Sequence, residues 1–162
     1  MKNNMMKKLL TLVLAGAMTL SLAACGAKDT PSADQPDNST EEAKTYKVAV
    51  IKQLDHASLD EIANAVTAEL DKIAADNGVT IEYEVTSGQG DQTILKQLSD
   101  QAIADGVNAI IPIATTAAQI AALSAEDAKT PVVYAAVSDP ETAKLTGIDY
   151  VTGTSDALNT EF

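Results

Sequence analysis

Four short stretches hold the residue types that could do chemistry: "QLDHAS" (53–58), "SGQGDQ" (87–92), "PIATTA" (112–117) and "AVSDP" (136–140). His56 is the single histidine of the chain. A Ser-His-Asp relay built on His56 and Ser58 would need neighbours two apart in one loop to align, which such neighbours rarely do. One histidine among scattered acids does not make a zinc ligand set. "SGQGDQ" is neither a phosphate-binding Walker loop nor a dinucleotide fingerprint, and it reads rather as a strand-to-helix turn in which Asp91 caps the following helix. No catalytic residue, metal or cofactor is therefore expected. What remains is small, uncharged and hydrogen-bonding. Thr115 and Thr116 stand where an apolar run gives way to a helical pattern, and two readings are open. Either a hydroxyl simply caps that helix, or the helix start offers free N–H groups to an anion, worth ~0.3–1 kcal/mol and up to ~2 when partly buried. Ser138 and Asp139 precede Pro140, where the carboxylate could receive an ammonium or merely shape a turn. An anion site facing a carboxylate suits an α-amino acid. With no arginine among the 11 basic residues, a bidentate guanidinium clamp on a ligand carboxylate is unavailable.

These loops need elements to hold them, and the apolar spacing supplies a clear series. "YKVAVIKQL" reads as a strand. Leu59, Ile62, Val66, Leu70 and Ile73 then recur at helical spacing, with Ser58 as the expected N-cap, Glu61 three residues on as its capping-box partner, and Gly78 as the stop. Val79, Ile81, Tyr83 and Val85 alternate as in a half-buried strand. Ile94, Leu95, Leu98 and Ile103 form a second helical stripe closed by Gly106, followed by the strand "VNAIIPI", the helix "TTAAQIAALSAED" and the strand "TPVVYAAV". Strand and helix in alternation, with apolar strands, predict a doubly wound open parallel α/β sheet. The expected order is 2-1-3-4, with any later strand at the β4 edge. The chain then reverses direction between strands 1 and 3, and ligands of open α/β sheets bind outside the strand carboxyl ends at such a point. "QLDHAS", "PIATTA" and "AVSDP" all fall there.

Residues 1–24 read as a secretory signal. Lys2, Lys7 and Lys8 precede an apolar run from Leu9 to Leu22 that ends in Ala23 and Ala24, and this run is shorter than the ~18 residues of a membrane span. The lone cysteine, Cys25, closes "LSLAAC", which resembles the bacterial lipoprotein signal. That resemblance implies a lipidated first residue and a membrane anchor. From 25 to 45 the chain is rich in Pro, Ser, Asp, Asn and Glu and reads as a disordered tether. About 20 such residues span roughly 25 Å. The α/β lobe itself is expected over 46–152. Without its signal the chain keeps eight lysines against 23 acids, a formal charge of −15. That balance argues against nucleic acid, which requires a basic footprint, and against electrostatic adhesion to anionic lipid.

Taken in order, "KVAVIKQLDHASLDE", "GQGDQTIL", "IIPIATTAAQIAA", "PVVYAAVSDP" and "VTGTSD" resemble the ABC-transporter substrate-binding lipoproteins that include the tryptophan- and tyrosine-binding type. The resemblance implies a type I periplasmic-binding-protein fold, a small amino-acid-like ligand and an ABC permease as partner. Matching cleft positions are Leu54, Asp55, Ala114, Thr115, Thr116, Ser138 and Asp139, with Gln89 and Asp91 matching as well. The family usually has proline where this chain has Ser58 and Thr116, and often threonine where it has Ser138. Its members also carry a second lobe after "TGTSD". Residues 153–162 are thus expected to begin the crossover to a lobe that this sequence lacks, so the chain reads as truncated. The alternative is a single-lobe surface lipoprotein that serves as a sensor or interaction module. A phosphoacceptor receiver would want an aspartate ending strand 3, where "PIATT" stands instead.

Overall fold

The computed structural model describes residues 44–155. The expected signal (1–24), the expected lipidation site Cys25, all of the expected tether but its last two residues, and residues 156–162 lie outside the described residues. Five strands and three helices alternate as β1 (Thr45–Lys52), α1 (Ala57–Asn77), β2 (Thr80–Ser87), α2 (Gln92–Ala104), β3 (Ala109–Ile113), α3 (Thr115–Ser124), β4 (Val132–Val137) and β5 (Val151–Ser155). All strand pairs are parallel, in the order β2-β1-β3-β4-β5. This is the predicted order, with the later strand at the β4 edge.

The period of two in β1 sends its side chains to both faces. Val48 and Val50 pack with Ile113 against Leu59, Ile62, Val66 and Leu70 of α1. Ile51 instead joins Ile110 and Val132 under Leu95 of α2 and Ala117 and Ala121 of α3. Full burial of a side chain such as Leu95 is worth about 1.5–3 kcal/mol. In α3 the alanines Ala117, Ala118, Ala121 and Ala122 are all buried, and their small side chains let the helix lie close against the sheet.

Two expectations for α1 need correction. Ile73, placed on the apolar stripe, is 42% exposed. The residues of α1 that pack on the sheet cluster are Leu59, Ile62, Val66 and Leu70, and Ile73 is not among them. The N-cap is not Ser58. The helix starts at Ala57, and His56 caps it by accepting from Ser58 N–H with its side chain. The acidic residue of the first turn is then Asp60, and the Ser58–Glu61 capping box does not form because Ser58 lies inside the helix. Asp91 does cap α2, accepting from Thr93 N–H at 2.6 Å and Ile94 N–H at 3.2 Å. Those two bonds hold its carboxyl below the usual carboxylate range.

Candidate functional site

Because every strand runs the same way, the loops after β1, β2, β3 and β4 share one edge of the sheet, and backbone hydrogen bonds stitch their starts together. Gln53 N–H donates to Ile113 O (3.1 Å), Gly88 N–H to Lys52 O (2.9 Å), Gly90 N–H to Gln53 O (2.9 Å) and Ala114 N–H to Ala135 O (3.0 Å). The residues singled out from the sequence, Leu54, Asp55, Gln89, Ala114, Thr115, Thr116, Ser138 and Asp139, all lie in these loops or on the first turn of α3. Of these, Asp55, Gln89, Ser138 and Asp139 are exposed, and Leu54, Ala114, Thr115 and Thr116 are partly buried.

The β3–α3 junction departs from simple capping. Neither threonine caps α3. The N-cap position is Ala114, which makes no side-chain cap hydrogen bond. Thr115 and Thr116 fall one and two residues too late, inside the helix. Ala114 itself has φ 80° and ψ 163°, a region essentially reserved for glycine that costs about 1–3 kcal/mol. Its two backbone groups hold it there, N–H to Ala135 O of β4 and O from Ala118 N–H at 3.0 Å each. The cap comes from across the sheet, where Gln53 Oε1 accepts from Thr116 N–H at 3.1 Å. Among the described residues, the N–H groups of Thr115 and Ala117 find no acceptor.

Charge at this edge centres on Lys52, whose side chain is only 13% exposed. Its Nζ contacts Asp55 Oδ1 at 3.0 Å and also Asp60. Hydrogen bonds to Asp60 first and Asp55 second raise the Lys52 pKa. Bonds from Lys52 and Ser87 hold Asp55 below the usual carboxylate range. One cation against two carboxylates leaves the group net negative. Asp139 shapes a turn, taking N–H bonds from Glu141 (3.1 Å) and Thr142 (2.9 Å) on Oδ1 and the Thr142 hydroxyl (2.6 Å) on Oδ2. The Thr142 contacts, with the Glu141 N–H, lower its pKa. Oδ1 already takes two donors, and Oδ2, with one, has room for a second.

The edge is a shelf rather than an enclosed pocket. A groove of about 530 Å³ does exist, but it runs between α2 and β1–β2, lined by Lys47, Glu82, Glu84, Leu98 and Gln101 among others. None of the loop residues named above lines it. Sequence reasoning missed Gln53 and Lys52. Both stand at the end of the first strand, and a lysine at the carboxyl end of a buried strand was the available signal for a local ion pair.

The sequence profile of the ABC transporter substrate binding proteins matches residues 47–161. The chain belongs to that family. Similarity to individual members agrees. The chain is 27% identical over 159 residues to the tyrosine-binding protein of Clostridioides difficile strain R20291, covering 94% of this chain and 46% of that protein. An ABC domain from Streptococcus pneumonia solved in complex with L-Trp superposes with a TM-score of 0.59 at 30% identity, covering 69% of this chain and 39% of that one. A ligand-free, open substrate binding protein with adhesive properties from Clostridium difficile gives a TM-score of 0.61 at 27% identity, covering 68% and 39%. The chain thus spans about half the length of the curated relative it matches. The five-stranded order and these neighbours identify the type I periplasmic-binding-protein fold. Among the described residues there is no cluster of three or more potential metal ligands and no helix long and apolar enough to cross a membrane.

Proposed function

We propose that this chain is the solute-binding component of an ABC importer and that the carboxyl edge of its sheet forms one wall of the ligand site. The ligand is a small amino acid, with an aromatic one favoured by similarity to a tyrosine-binding protein and to a domain solved with L-Trp. The observation that carries the reading is the start of α3, where the partly buried Thr115 has an N–H without an acceptor in the middle of the loop cluster. It suits a ligand carboxylate. Asp55, part of a net-negative group, and the remaining lone pair of Asp139 Oδ2 suit the ammonium. Leu54, Gln89, Ala114, Thr116 and Ser138 complete the wall.

The anchor belongs to the same reading. A mature chain of formal charge −15 gains nothing from anionic lipid, so retention at the membrane calls for a covalent lipid on Cys25. The segment 25–45 then gives the lobe the reach to deliver its ligand to a permease on the outer face of the membrane. A thermal-shift panel of the amino acids tests the ligand class, with L-tryptophan or L-tyrosine expected to raise the melting temperature most. Silence across the panel would favour the sensor or interaction module. Radiolabelled palmitate should enter the wild-type protein in a bacterial host and fail to enter Cys25→Ser.

A further inference from the structure

One residue makes three of the ties that hold the wall together. Gln53 donates its N–H to the end of β3, accepts Gly90 N–H of the β2–α2 loop on its carbonyl, and accepts Thr116 N–H of α3 on its side chain. Ala114, at the N-cap of α3, has nothing to cap with, so the cap is supplied from 63 positions away. Its chemistry matters. An aspartate cap would accept the same N–H but place a negative charge against the positive end of the helix. An amide accepts without charge, and it takes only the second N–H, leaving the first, that of the partly buried Thr115, without an acceptor. We propose that Gln53 is the positioning residue of the ligand wall, locking the loops after β1, β2 and β3 to the start of α3 and capping that helix without neutralising it. The locking stands independently of any ligand. The benefit of an uncharged cap rests on the amino-acid reading given above.

Amide exchange and titration of the ¹⁵N-labelled full chain separate the two parts, using wild type, Gln53→Met and Gln53→Glu. In Gln53→Met the Thr116 amide should exchange about tenfold faster while Ile110 and Ala121 stay unchanged, the loss of one net hydrogen bond. Gln53→Glu should keep Thr116 protected, since its carboxylate accepts the same N–H. With L-tryptophan as the probe, Gln53→Glu should need about tenfold more ligand for half-saturation because its charge opposes the ligand carboxylate. L-tryptophanamide, which lacks that carboxylate, should bind both proteins alike. Equal Thr116 exchange in all three proteins overturns the proposal. Protected Thr116 with unchanged L-tryptophan binding in Gln53→Glu overturns its charge half. A freed Thr116 amide in Gln53→Met, without any L-tryptophan response in wild type, supports the locking and overturns the ligand reading instead. Should Gln53→Met loosen the core amides as well, the contrast between the two probes in Gln53→Glu decides.

Discussion

At the edge of the sheet where strands begin, α1 and α2 hand over to β2 and β3 through glycines, Gly78 at φ 63° and Gly106 at φ 70°, with open space where a Cβ would sit. At the edge where strands end, positive φ falls on residues that carry side chains, namely Gln89 at 53°, Ala114 at 80° and Ala136 at 54°. Neither edge is pure. Lys129 ahead of β4 has φ 53°, and Gly90 lies among the loops of the second edge at φ 77°. Ala114 combines its positive φ with an extended ψ of 163°. Glycine relieves such strain at the cost of a looser backbone. Strain persists where surrounding bonds over-determine a shape that something else requires. On the proposed reading, the second edge is the one that holds a ligand, and the first is plain punctuation.

Glycine substitutions break this comparison most forcibly. Gly88, also on the second edge, is needed for space rather than for φ, because an added Cβ would collide with the buried Leu95 side chain. Gly88→Ala should lower stability in urea by about 2–3 kcal/mol through overpacking. Gly78→Ala meets no neighbour and should cost only about 1 kcal/mol, the left-handed penalty. Equal costs would remove the distinction between the edges. The reverse substitution sharpens it. Ala114→Gly should raise stability by about 1 kcal/mol, strain relief less the added chain entropy, while weakening L-tryptophan binding. A loss of stability there would mean that Ala114 stores no strain.

The smallest effect is in pH. Asp91 has a folded pKa below its unfolded value, so at low pH the unfolded chain binds the extra proton. The contribution of Asp91 is therefore present above the ordinary carboxylate pKa of about 3.9 and is lost as pH falls through the depressed folded value. Asp91→Asn keeps a cap but cannot titrate, and its acid unfolding curve should be flatter than that of wild type. Identical curves would show that the cap carries no titratable stability.

The fold was legible because its signals are local. Leu59, Ile62, Val66 and Leu70 at helical spacing, glycines at helix ends and apolar strands between them suffice for a doubly wound parallel sheet, and the sheet order then places the four loops on one edge. Asp91, which caps the helix beginning one residue later, was legible for the same reason. The cap of α3 was not. Two threonines beside a helix start invite a local reading, but the acceptor is Gln53, brought there only when β1 pairs with β3. His56 took the place expected of Ser58 because an imidazole nitrogen can also accept a helix N–H. The Lys52 contact with Asp60 depends on how α1 docks, whereas its contact with Asp55 spans only three positions.

The central claim is that the carboxyl edge of the sheet is the ligand wall, and amide chemical-shift mapping of the wild-type chain during L-tryptophan titration tests it most directly. A ligand resting on this shelf keeps one face in water, so the expected dissociation constant is near millimolar, about 4 kcal/mol. The amides that move should be those of Leu54, Asp55, Gln89, Thr115, Ser138 and Asp139. Still loops, or shifts gathered instead around Lys47, Glu84 and Gln101 in the groove beneath α2, would contradict the account.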